Sequence, residues 1–151
     1  MWKLFALSLL TITLTAGHPY AGEITTPQQT KQPSQSDAFT KVFDFGTVSF
    51  DDNQQFNSLK VSVIKLDPTT IRVVTTFVVS GNKGAGISDG TPVAIQLQHD
   101  TAVMGITSGI GWAGTCHQDT TFTNEEIMKN IPFDAIDQVT MPGLIANDSA
   151  C

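Results

Sequence analysis

From residue 39 onward, apolar and polar positions alternate along most of the chain, which is the spacing of strands rather than helices. The plainest run is Thr70–Ser80, TIRVVTTFVVS. Ile71, Val73, Thr75, Phe77 and Val79 take one face; Arg72, Val74, Thr76 and Val78 take the other. Branched bulk on both faces predicts an interior strand covered on two sides. A glycine-rich loop follows at Gly81–Gly90, then a second alternating run at Pro92–Gln98, with Val93, Ile95 and Leu97 in phase. This strand–loop–strand unit is expected at the centre of an antiparallel domain.

Shorter runs flank it. In Val42–Phe50 the phase slips at Gly46-Thr47, and a glycine at a phase slip signals a β-bulge. Asp51–Gln55 reads as a turn and Leu59–Leu66 as a strand. Asp67-Pro68-Thr69 is a tight turn with Pro at its second position. His99-Asp100 reads as a two-residue turn, Thr101–Ile106 and Thr115–Thr121 as short strands, and Ile136–Met141 as a further strand. One helix is predicted, near 124–131. Thr123-Asn-Glu-Glu126 has the form of a capping box, Ile127, Met128 and Ile131 fall to one side, and Pro132 ends the run. The expected fold class is all-β, a mostly antiparallel sandwich or small barrel of about seven or eight strands, with that one short α-helix.

The N-terminus departs from this pattern. Met1-Trp-Lys3 is a short basic start, Leu4–Leu14 is an apolar run too short to span a bilayer, and small residues follow at Thr15–Gly17 and Ala21-Gly22. That is the layout of a secretory signal peptide over 1–21, with cleavage after Gly17 or Ala21. It predicts a secreted or periplasmic protein with no transmembrane segment once the leader is removed. Residues 22–38 are rich in Gln, Thr, Pro and Ser and carry little that could be buried, so a flexible spacer is expected. Residues 39–151 then form one β-domain. Cys116 and Cys151 are the only cysteines, and in an exported chain they are expected to form one disulfide.

Lys and Arg total 8 against 14 Asp and Glu, a net charge of −6. With no basic run, that balance argues against nucleic acid as a partner.

Candidate chemistry is sparse. Gly81–Gly90 contains a lysine among glycines, but Lys83 precedes Gly84 rather than following the glycine run into a Ser or Thr and a helix, so it is not a phosphate loop. A loop of this kind is still a natural contact site. Asn82, Lys83, Ile87 and Asp89 are its binding candidates, joined by Trp112 from the nearby Gly-rich stretch. Trp112 could equally fill the end of a sandwich. His117 and Asp119 share strand parity and, with His99, make a possible metal site. Cys116-His117 is poorly placed for thiol catalysis, because adjacent strand residues point to opposite faces. The acidic pairs Asp51-Asp52 and Glu125-Glu126 are explained by turn and helix-terminus chemistry, and no Gly-x-Ser-x-Gly elbow exists.

The reading is an exported, non-catalytic module that binds a protein or glycan, as an inhibitor, immunity-type protein or adhesin-like surface component. It needs no cofactor. An exported metal-binding protein using His99, His117 and Asp119 is the alternative, and a small secreted hydrolase a second one.

Overall fold

The computed structural model describes residues 23–50, 54–81, 86–112 and 118–149. The described chain is almost entirely β-strand, with one 3₁₀ turn at Phe133–Ala135. The strands are β1 Glu23–Thr25, β2 Gln29–Lys31, β3 Gln35–Ser36, β4 Thr40–Ser49, β5 Gln54–Asp67 and β6 Thr70–Gly81. They continue as β7 Gly86–Gly90, β8 Gln96–His99, β9 Ala102–Ile106, β10 Thr120–Lys129, β11 Gln138–Met141 and β12 Ile145–Ser149. Every named pairing is antiparallel.

Two larger sheets form a sandwich. One has five strands in the order β10-β6-β5-β4-β3; the other has four, β2-β11-β8-β9. A three-stranded sheet, β1-β12-β7, prolongs the second, because β1 leads into β2 and β11 into β12. The joint is stitched by Thr26 N–H to the Leu144 carbonyl at 2.8 Å and Thr91 N–H to the Ile145 carbonyl at 2.8 Å. Between the layers lies one apolar cluster. Phe43, Phe56, Leu59, Ile71 and Phe77 enter from the five-stranded sheet; Ile95, Leu97, Val139, Met141 and Leu144 enter from the other side.

The predicted bulge is present. Gly46 sits at φ +65° where β4 loses register with β5. Its partner strand slips at the same level, with Ser58 at φ +53° beside Leu59, which faces Gly46. The paired bulges keep Phe43, Phe45 and Val48 of β4, and Phe56 and Leu59 of β5, all on the core side despite their mixed parity. Asp67-Pro68-Thr69 is also the turn expected: the Asp67 carboxylate accepts the N–H groups of Thr69 at 2.9 Å and Thr70 at 2.8 Å.

Several expectations are corrected. The helix near 124–131 is instead β10, which pairs with β6 residue by residue from Thr120↔Val79 to Lys129↔Thr70. Its burial alternates with period two, Phe122, Asn124, Glu126 and Met128 being half-buried between exposed neighbours. A capping box stabilises a lone helix by about 1 kcal/mol, too little to compete with a ten-residue ladder. Pairing with β10 and β5 also takes both sides of β6, so the Pro92–Gln98 run cannot be its neighbour; that run divides into a bridge at Val93 and strand β8 in the opposite sheet. β6 is interior, as expected, but only one of its faces is buried; Arg72, Val74, Thr76 and Val78 are half-buried.

The segment 22–38 is not wholly a spacer. From Glu23 onward it supplies β1, β2 and β3, one to each sheet. Edge positions accept Gln, Thr and Lys because each strand needs only one paired side and little buried area, so polar composition was no guide to order. The signal-peptide region lies outside the described residues. No described helix is long and apolar enough to cross a membrane.

The five-stranded sheet grips the far layer through two lysines. Lys41, only 9% exposed, donates from Nζ to the carbonyls of Phe133 (3.0 Å), Asp134 (3.3 Å) and Ile136 (2.6 Å). Lys65 pairs with Asp134 at 3.0 Å, and both ammonium groups lie over the Phe133 ring, at 4.8 and 5.4 Å from its centre. The 3₁₀ turn that feeds β11 is thereby fixed from across the sandwich.

Candidate functional site

Of the loop residues singled out from sequence, Asn82 and Lys83 lie outside the described residues. Ile87 and Asp89 fall on β7, where the backbone is described and the side chains are not. Ile87 pairs with Asp148 across a register shift. Trp112 is 7% exposed and belongs to the core. Its indole N–H donates to the Thr91 carbonyl at 3.1 Å, and its ring meets Phe56 edge-on at 5.0 Å. Gly90 makes this possible, since a Cβ there would collide with both the indole and the Ile145 carbonyl. Trp112 thus takes the packing role, filling the end of the sandwich. Above it, Glu23, Gly90, Thr91, Pro92, Ile145 and Asn147 line an open groove of about 440 Å³.

The metal candidates are not brought together where they can be followed. His99, at the end of β8, has Nδ1 3.0 Å from Asp137 Oδ2, and Asp137 also takes the Asp100 N–H. Asp119 accepts the Ser80 hydroxyl at 2.6 Å on the opposite sheet. His117, Cys116 and Cys151 lie outside the described residues. Among the described residues no three His, Cys, Asp or Glu side chains cluster as metal ligands would. Asp51 and Asp52 lie outside the described residues too. Glu125 and Glu126 diverge: Glu125 is 3.8 Å from Arg72 on the outer face, whereas Glu126 accepts the Ser108 N–H at 2.7 Å. No acid pair spans a cleft there.

The outer face of the five-stranded sheet is the more informative surface. Its strand register sets Ile127, Arg72, Ile64 and Thr40 side by side in one row. The next row runs Glu125, Val74, Ser62 and Val42. Ile127 is 61% exposed, and Leu66, two residues beyond Ile64 on β5, is 49% exposed. No described element lies over these rows. At their centre the Arg72 guanidinium is flanked by two isoleucines, and its buried Nε has no hydrogen-bond acceptor among the described residues. A cation framed by branched aliphatics, with one carboxylate at its rim, is the composition of a protein contact.

Sequence reasoning missed this surface because it put Ile127 on a helix and assumed that Val74 and Val78 were covered. The sequence signal was weak: burial alternates along TTFTNEEIMK, but of its half-buried positions only Phe122 and Met128 are apolar. Compared with protein-family models, curated proteins and solved structures, the chain matches none, so its fold and surfaces carry the functional argument alone.

Proposed function

We propose that this chain is an exported, non-catalytic module that binds a protein through the outer face of its five-stranded sheet. One observation carries the reading: the uncovered row of Ile127, Arg72 and Ile64, with Ile127 61% exposed at its end. An isolated exposed aliphatic is ordinary, but here Ile127, Ile64 and Val74 adjoin Arg72, with Val42 and Leu66 farther along the same face. Aliphatic side chains suit a protein better than a glycan, whose rings are usually met by aromatic faces, and no aromatic residue stands in these two rows. Export rests on the leader-like run at Leu4–Leu14. Asn82, Lys83, Ile87 and Asp89 are offered as second contacts from the Gly81–Gly90 segment.

The test is a photo-reactive amino acid at position 127, with a control at Ala102 on the other sheet, in protein made by its own host. A protein adduct at 127 that is absent at 102 and lost on Arg72→Ala is the expected result. Equal labelling at both positions would remove the basis for this face. Binding to a glycan array that survives Arg72→Ala and Ile127→Asp would overturn both the surface and the partner class.

A further inference from the structure

The sheet edges are unequal. β1, β2 and β3 are edges of three residues or fewer. β7 and β9 have five residues each, and their pairings with β12 and β8 are broken by register shifts. Short or bulged edges are how proteins deter unwanted strand addition. β10 has neither defence. It is ten residues long, contains no Pro, and keeps one register with β6 throughout. Its other side has no strand partner among the described residues.

We infer that β10 is a homodimer interface, pairing antiparallel with β10 of a second copy to join two five-stranded sheets. The sequence of the strand selects the partner and the register. For both outer faces to stay on one side of the joined sheet, residues of like parity must stand opposite each other. One such register places Asn124 opposite Asn124 on the twofold axis. Thr123 then faces Glu125, Thr121 faces Ile127, and Asp119, the residue just before the strand, faces Lys129. Both ends of the interface gain an opposite-charge pair, and no like charges stand directly opposite.

The adjacent registers are worse. Sliding one step of two residues in one direction sets Glu125 against Glu125, and two steps set Glu126 against Glu126. Sliding the other way sets Asp119 against Ile127. Opposed like charges destabilise a cross-strand pair, and opposite ones stabilise it. Lys129 is exposed and makes no ion pair among the described residues; Asp119 is exposed beside Ser80. A segment, Asp119–Lys129, whose end charges are complementary to its own reversed sequence fits a second copy better than an arbitrary peptide. The joined sheet leaves the face around Arg72 open; the two contacts meet at Ile127, whose backbone edge faces the second copy while its side chain stays on the outer face.

The full exported chain is to be examined by sedimentation equilibrium and by zero-length carbodiimide coupling. A mass of two chains is expected, with an amide bond between Lys129 and Asp119. In a mixture of light and ¹⁵N-labelled protein, that cross-linked peptide must contain one light and one heavy half. Lys129→Asp should weaken the dimer roughly tenfold to a hundredfold, because two exposed pairs turn from attraction to repulsion. Asp119→Lys should do the same. Combining Asp119→Lys with Lys129→Asp should restore the dimer, which a merely misfolded variant could not do. A monomer at millimolar concentration would overturn the inference. So would a dimer that ignores all three variants, or one cross-linked elsewhere.

Discussion

Replacing Lys41 by Met tests how much of the sandwich depends on one buried ammonium. Methionine keeps the apolar stem against Phe133 and removes the donor. Three carbonyls lose the Lys41 ammonium; that of Phe133 keeps the Ile136 N–H at 3.2 Å, whereas the bond lost at the Ile136 carbonyl is a buried one. A buried acceptor left without a donor costs about 1–3 kcal/mol, with carbonyls at the milder end. Relief from holding an ammonium out of water offsets part of this. The net expectation is a loss of about 1–3 kcal/mol, or roughly 5–10 °C in melting temperature for a domain of this size. Urea unfolding followed by Trp112 fluorescence measures it.

The pH dependence separates this account from simple loss of packing. Burial lowers the Lys41 pKa from its ordinary 10.5, against the opposing fields of Asp134 and Asp137. Between that lowered value and 10.5 the unfolded chain binds more protons than the folded one. Stability must therefore rise with pH across that window in the native protein. Lys41→Met has no such group, so the gap between the two should widen as pH climbs through it. A variant as stable as the native protein at neutral pH, or a gap that narrows there, would refute the reasoning.

Gly90→Ala should destabilise by about 1–3 kcal/mol, since the new methyl collides with the Ile145 carbonyl and the Trp112 indole; a red shift of tryptophan emission should accompany it. Gly46→Ala meets open space but must hold φ +65°, so a smaller loss of about 1 kcal/mol is expected by urea unfolding, with no change in the tryptophan signal. Asp67→Ala should destabilise the protein at neutral pH and lose that effect in acid. The Thr70 hydroxyl and the Thr69 N–H hold the Asp67 carboxyl below its ordinary 3.8, so its contribution is complete above 3.8 and disappears as pH falls through the lowered value. Urea midpoints of the two proteins that stay equally far apart down to pH 2 would contradict this.

The β class, the Gly46 bulge, the Asp67 turn and the core phase of Phe43, Val61, Val73 and Phe77 were all legible, because each depends on residues within a few positions of one another. Which strands lie side by side was not. β6 appeared bound to the run that follows its glycine-rich loop, yet its second neighbour is β10, about forty residues on. Alternation tells which way a side chain points and nothing about which strand it meets. The polar strands β1, β2 and β3 were invisible for a related reason: a short edge strand is held mainly by backbone hydrogen bonds, which every sequence can make. Lys41 gave no sign either, since the carbonyls that hold it come from a turn more than ninety residues away.

The misread helix and the missed surface have one cause. A strand in the middle of a sheet must be apolar on its core side, so its alternation is loud, as in β6. β10 is at the rim, where the core side is only half-buried and tolerates Asn124 and Glu126, the latter satisfied by the Ser108 N–H. Those polar residues are what made Thr123–Glu126 resemble a helix cap. The same rim position leaves Ile127 exposed and, among the described residues, one side of the backbone without a strand partner. Weak sequence signal and availability for binding are thus two consequences of lying at an edge. The places where a β-protein is hardest to read from its sequence are therefore the places where a partner should be sought, and the Lys129 and Asp119 exchange applies that argument to this chain.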